Sequence, residues 1–436
     1  MSIEIIKKPK KLVFSAPITP ATKKWGVYCI PRLWKLPSGR LVIRFNGEVD
    51  CADIDNMQAA PNLYFYSDDD GETWQEDKDG YEKYDSFVLQ GNTRPYLKLS
   101  DGKTIAIRDK RDCASLPDIT HIKKFMFPNK SSLVETYYEK DIPKECMGMD
   151  LVTYLANTSE PDIEPIEFSF PEREIFIESD ALTDDGYKPI EKYVKIHHWR
   201  NPYVSSLTEL PDGRICGVVN GQNPEVFDKY CPVVYLVVSN DKGKTWEVLS
   251  TIAKGKDEVP YGYSGDGCEL SLNITEEGIL VCAMRMDVSI NPNDETPICD
   301  TYFTYSEDLG ETWVKPYPIA ESSITPQLIS LKDNILVLLY GRPGVHMKYS
   351  TDNGKTWSES TPIIGKTLAE SRADGLTDYE SKYGKMDSYA NVFAEKLSED
   401  IFIVLFNDMK YDEGDGEKHR AGFVQKITIK NTLNIG

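Results

Sequence analysis

Ser67-Asp68-Asp69-Asp70-Gly71-Glu72-Thr73-Trp74 follows the apolar run Leu63-Tyr64-Phe65-Tyr66, and the phrase returns three more times along the chain. The other copies are Ser239-Asn240-Asp241-Lys242-Gly243-Lys244-Thr245-Trp246, Ser306-Glu307-Asp308-Leu309-Gly310-Glu311-Thr312-Trp313 and Ser350-Thr351-Asp352-Asn353-Gly354-Lys355-Thr356-Trp357. Each reads S-x-D-x-G-x-T-W. Between apolar strands the pattern describes a tight hairpin: the Asp accepts hydrogen bonds from turn amides, the Gly takes a positive φ, and the Trp adds a large apolar anchor. A recurring unit decides the architecture before any single element is read.

The last three copies begin at 239, 306 and 350, hence 67 and 44 residues apart, the size of a four-stranded unit. A second pattern, apolar strand, polar turn, apolar strand, marks units that lack the phrase. It occurs at 30–36 and 41–45, 95–99 and 104–107, 203–210 and 215–219, 270–274 and 279–284, 327–331 and 335–340, and 390–397 and 401–406. Turns such as Pro37-Ser38-Gly39 and Pro211-Asp212-Gly213 separate the pairs. Six hairpins predict an all-β fold: one domain over residues 1–436, a six-bladed β-propeller of four-stranded antiparallel blades. Residues 109–195 read as an irregular insertion, with Tyr137, Tyr138, Tyr154 and Phe168 in outer strands of the second blade and 157–165 as a loop. Strands at 11–15 and 422–429 are expected together in the last blade, joining the chain ends.

The net charge of −20 argues against nucleic acid or an anionic membrane as a partner, because the long-range field repels phosphate. No apolar stretch is long enough for a membrane helix. Nine Cys without a CxxC pair, behind a charged N-terminal stretch, are expected to be reduced thiols in the cytoplasm. Five His include adjacent His197 and His198 but show no zinc spacing, so neither a metal nor a cofactor is expected.

In a propeller the innermost strands surround an axial channel, and ligands sit at one mouth of it. Counting from the turn near Glu277 sets Glu269 opposite Arg285. The turn at Ser398-Glu399 sets Tyr389 near Asp408, and the turn near Asp333 brings Arg342 to the same level. Arg94 and Arg200 each start an inner strand and are candidate cations. Carboxylate, phenol and guanidinium groups therefore converge on one opening.

On the phrase, the Asp-box, and on these residues, the chain resembles the sialidase (neuraminidase) superfamily. In that family the box is scaffold, at the blade periphery. The resemblance implies a Tyr nucleophile, because the substrate's own carboxylate at the anomeric carbon repels an acidic one. It matches Tyr389 in Ser388-Tyr389-Ala390-Asn391 to that nucleophile and Glu269 in Cys268-Glu269-Leu270 to its base. Arg285 and Arg342 match carboxylate-clamping arginines, and Asp53 or Asp55 the acid/base group, which spacing does not separate. Tyr28-Cys29-Ile30-Pro31 departs from the family: the first clamp arginine is replaced by Cys29. Arg32 and its expected cross-strand neighbour Arg44 lie on the other side of the strand. The implied function is an exo-acting glycoside hydrolase that removes a terminal sialic acid or related acidic sugar from a glycan. The same residues also read as a cross-strand ion pair in a non-catalytic glycan-binding propeller. A third reading is a lyase or hydrolase on uronic-acid or rhamnose polysaccharides, with His197 or His198 in play.

Overall fold

The computed structural model describes residues 2–22, 27–28, 31–47, 60–80, 96–109, 123–126, 133–136, 149–154, 162–169, 181–183, 186–188, 204–222, 232–254, 269–287, 299–341, 344–373 and 389–432. Strands β1 (Ser2–Lys7) and β2 (Lys11–Pro17) come first and both pair with the last strand of the chain. Sheet I is β3 (Pro31–Lys35), β4 (Leu41–Phe45), β5 (Leu63–Ser67) and β6 (Gln75–Glu76), each antiparallel to the next.

Sheet II begins with β7 (Tyr96–Lys98) and β8 (Thr104–Asp109). A separate hairpin, β9 (Lys123–Met126) with β10 (Leu133–Thr136), intervenes before β11 (Met149–Tyr154) and β12 (Asp162–Ser169) complete the sheet. A second small hairpin, β13 (Ala181–Thr183) with β14 (Gly186–Lys188), precedes sheet III. Sheet III is β15 (Val204–Glu209), β16 (Ile215–Gln222), β17 (Pro232–Ser239) and β18 (Thr245–Lys254). Sheet IV is β19 (Leu270–Ile274), β20 (Leu280–Asp287), β21 (Cys299–Ser306) and β22 (Tyr317–Ala320). Sheet V is β23 (Ile324–Ser330), β24 (Leu336–Gly341), β25 (Val345–Ser350) and β26 (Thr361–Ile364), followed by the short helix α1 (Leu368–Ala373). Sheet VI is β27 (Tyr389–Lys396), β28 (Ile401–Asp412) and β29 (Lys418–Thr432), with β1 and β2 both on β29.

The middle strands are apolar without alternation. All six residues of Leu336–Gly341 and all five of Leu41–Phe45 are buried, as face-to-face packing of sheets requires. The first strands of successive sheets touch in sequence: β7 with β15, β15 with β19, β19 with β23, β23 with β27, and β27 with β3. Side chains stitch them to neighbouring backbone. The Lys35 N–H donates to Tyr96 Oη at 2.9 Å, Ser206 Oγ to the Leu272 carbonyl at 3.1 Å, and the Leu328 N–H to Ser271 Oγ at 2.9 Å. The Ala394 N–H donates to Gln327 Oε1 at 2.7 Å. A cavity of about 740 Å³ runs between these strands and is lined by residues of all six, among them Lys35, Tyr96, Ser206, Ser271, Gln327 and Glu395.

Each Asp-box is one hydrogen-bonded cage. In the third copy Ser306 Oγ donates to Asp308 Oδ1 at 2.7 Å and accepts from the Gly310 N–H at 2.8 Å. Asp308 then accepts from the Thr312 N–H at 2.9 Å and the Thr312 hydroxyl at 2.6 Å. The same bonds recur at Asp69, Asp241 and Asp352. The glycines do more than allow the turn. A Cβ on Gly71, Gly243, Gly310 or Gly354 would press on Ile403, Leu151, Leu236 or Phe303 respectively, in each case a residue of the preceding sheet.

Three expectations change. β1 is a strand although its sequence reads only as a charged lead-in: Ile3 and Ile5 pack on the sheet VI core while the polar residues face solvent. The 157–165 loop is shorter, because β12 begins at Asp162 and pairs with β11. Tyr154 and Phe168 do lie in β11 and β12, whereas Tyr137 and Tyr138 are outside the described residues. Sheets II and III are not separate: β12 runs parallel to β18, with Phe168 opposite Trp246, which makes one eight-stranded sheet.

Candidate active site

Glu269 directly precedes β19, and Arg285 stands opposite it on β20. The intervening turn holds the register Leu270↔Met284, and the Arg285 N–H donates to the Glu269 carbonyl at 3.2 Å. The side chains then meet: Arg285 Nη1 lies 2.6 Å from Glu269 Oε1, with the two side chains 16% and 9% exposed. At that burial the carboxylate needs more than one donor. The second is the Thr325 N–H, which reaches Glu269 Oε2 at 3.3 Å from β23 of the next sheet.

Tyr389 is the first residue of β27. It pairs with Asn407, not Asp408 as simple counting predicts. The register slips between Tyr389 and Phe393, where a β-bulge adds residues to one strand only. Asn407 is buried and its Nδ2 donates to the Tyr28 carbonyl at 3.2 Å. Tyr28, the residue before Cys29, is itself at φ 60°. The strand start carrying Tyr389 and the segment leading to Cys29 are therefore neighbours. Asp408 turns its carboxylate to the Lys410 N–H.

Arg32 and Arg44 are cross-strand partners and buried, as counting predicts. Arg32 sits 4.6 Å from the centre of the Phe393 ring and Arg44 5.9 Å from that of Trp34. Asp53, Asp55, Arg94, Arg200, Arg342, Cys29, His197 and His198 lie outside the described residues. Among the described residues, Glu269 and Arg285 are the candidate side chains brought into direct contact.

The segment Ser322–Thr325 was not singled out by sequence reasoning. Ser322 and Ser323 are fully buried; Ser323 Oγ donates to Thr301 Oγ1 at 2.7 Å and accepts from the Thr301 N–H at 2.8 Å. Its signal in the sequence is a polar run, Glu321-Ser322-Ser323, that leads directly into an inner strand.

Away from this end, Glu395 on β27 lines the axial cavity. Burial raises its carboxyl to about 7, against the opposing pull of the Tyr96 hydroxyl and Lys35. Cys216 and Cys282 are buried free thiols, both pushed up by burial. Among the described residues one trio of possible metal ligands comes together, Glu413, Asp415 and His419, at the β28–β29 turn. His419 there already bonds Ser15 and Asp415.

The sequence profile of the BNR/Asp-box repeat matches residues 65–76 and 348–359. A sialidase from Clostridium perfringens is 24% identical over 235 residues, which cover 46% of this chain and 58% of that protein. This chain carries Asp-box repeats and is similar in sequence to that sialidase. It spans little more than half the length of that curated relative. A protein of unknown function from Dyadobacter fermentans DSM 18053 has the same fold: 98% of the Asp-box chain and 99% of that one superpose with a TM-score of 0.56 at 18% identity. A mutant of the NanB sialidase from Streptococcus pneumoniae aligns over 97% of the Asp-box chain and 70% of its own length, with a TM-score of 0.47 and 14% identity.

Proposed function

We propose that this chain is an exo-acting glycosidase of the sialidase type, a single six-bladed propeller acting on a terminal sialic acid or a related acidic sugar. The observation that carries the reading is the Glu269–Arg285 pair, held at 2.6 Å beside the strand end that bears Tyr389. In this reading Tyr389 attacks the anomeric carbon while Glu269 takes the phenolic proton. A phenol near its ordinary pKa of about 10 needs such a base. Asp53 or Asp55 protonates the departing glycosidic oxygen and then activates the water that releases the sugar. Arg285 and Arg342, with Arg94 or Arg200, hold the acidic group of the substrate. No cofactor takes part.

Release of phenolate from an aryl sialoside, and from a panel of other aryl glycosides, tests the reading. Turnover by the native protein that disappears in Tyr389→Phe, without loss of fold, supports it. Unchanged turnover in Tyr389→Phe removes the nucleophile from the scheme. Cys29, standing where the related enzymes carry an arginine, favours a second reading: a glycan-binding propeller that forms no product. Saturable binding of sialic acid without hydrolysis identifies that case.

A further inference from the structure

Nine residues other than glycine among those described have positive φ. Four belong to the Asp-box turns, Asp70, Lys242, Leu309 and Asn353, and two to the β23–β24 turn, Asp333 and Asn334. The remaining three, Tyr28, Ser322 and Thr325, lie outside the hairpin turns, at the end of the molecule that holds Glu269. Thr325, at φ 47°, is the β-branched one. A β-branched side chain there is a real outlier and persists only where its surroundings over-determine it. The position is further constrained by the ring of Pro326, which follows it. It also falls in a bulge, since the β23–β24 register shifts between Ile324 and Gln327. Bulges re-aim groups beside functional sites.

The N–H and the hydroxyl of this residue both reach neighbouring sheets. The Thr325 N–H points at Glu269 Oε2, 3.3 Å away in sheet IV. The Thr325 hydroxyl accepts the Val392 N–H, 3.3 Å away in sheet VI. Val392 lies within the β27 bulge, three residues after Tyr389. A continuous chain of contacts thus runs Arg285–Glu269–Thr325–Val392 through three sheets. A regular β conformation at 325 would turn the N–H away from the carboxylate and undo the bulge.

We propose that Thr325 is a positioning residue of this site, whose strained backbone sets the carboxylate of Glu269 and whose hydroxyl fixes the strand start that presents Tyr389. The role rests on the glycosidase reading for its kinetic consequence but not for its structural one. Thr325→Val keeps the β-branched shape and removes the acceptor. Thr325→Ser keeps the acceptor. Thr325→Gly removes the acceptor and relieves the strain, which guards against misfolding of the valine variant.

Two measurements are made on each variant: amide exchange at Val392, and kcat and KM on the aryl glycoside turned over by the native protein. The expected result is exchange at Val392 faster by about tenfold in the valine and glycine variants and near native in serine. kcat falls by about ten- to a hundredfold in the first two with KM changed less than about twofold, and serine recovers most of it. Exchange at Val392 unaltered by loss of the hydroxyl overturns the tie. A rise in KM at constant kcat, or equal loss in serine and valine, overturns the positioning role. If the native protein turns over no glycoside, the glycosidase reading fails, and the exchange arm alone decides the tie.

Discussion

Glu269 has one oxygen on a guanidinium and the other on a backbone N–H, with little access to water. Removing Arg285 therefore leaves a nearly buried carboxylate with one remaining donor. Arg285→Met is expected to cost about 2–4 kcal/mol of stability, measured by denaturant unfolding, and Arg285→Lys to recover part of it, keeping the charge but not the planar fork. The proposed second role of Arg285, holding the substrate's acidic group, predicts a rise in KM in both variants. The Glu269–Arg285 contact was legible in the sequence because a tight turn fixes the register of the two strands beside it. Counting sets the partner of Tyr389 one residue off, because a bulge, which leaves no composition mark, moves it from Asp408 to Asn407. Thr325 was not legible at all. Its conformation is imposed by groups 56 and 67 residues away in sequence, and no local pattern of Ile324-Thr325-Pro326 announces it.

The hairpin that carries the Asp-box is legible in its turn chemistry, but its contact with the preceding sheet is not. Gly310 combines a φ of +96° with a position where a Cβ would overlap Leu236 of the preceding sheet. Gly39 has a similar φ, +90°, with nothing within 4 Å. Gly39→Ala should therefore cost about 1 kcal/mol, the strain alone, and Gly310→Ala several times as much, because the leucine and the sheet behind it must shift. Denaturant midpoints of the two variants give the difference directly. The box carboxylates add an acid limit. The Thr312 hydroxyl first, then the Thr312 N–H and Ser306, hold Asp308 below its ordinary range. The Thr73 hydroxyl and N–H and Ser67 do the same for Asp69. A depressed carboxyl contributes stability above the unfolded pKa of about 4 that is lost as pH falls through the folded value. The melting temperature should drop steeply below about pH 4, and Asp308→Asn should blunt that drop while lowering the plateau.

At the scale of the whole molecule, both ends of the described chain lie on β29, with Ser2 paired to Thr432. Glu72 of the first Asp-box binds Lys11 of β2 and, at 2.6 Å, Lys426 of β29. These lysines lower its carboxyl to about 2. The axial cavity holds the opposite case. Tyr96 of sheet II reaches the Lys35 backbone in sheet I and Glu395 in sheet VI. Burial keeps the Glu395 carboxyl up near 7. An acid raised in the fold binds its proton more tightly there than in the unfolded chain, so the stability it contributes is complete below about pH 4.5 and is lost as pH rises through 7. Wild type should lose on the order of 2 kcal/mol between pH 5 and 8 from this group, and Glu395→Gln should flatten the profile. The same three-way contact marks where the molecule would part first. Box glycines wedge sheet I onto VI, III onto II, IV onto III and V onto IV, while II and VI have no box of their own. Between VI and V the Gln327 and Thr325 bonds compensate. Between II and I, among the described residues, the Tyr96 phenol is a cross-sheet tie, and its neighbour Glu395 puts a buried charge beside that seam once the solution turns alkaline.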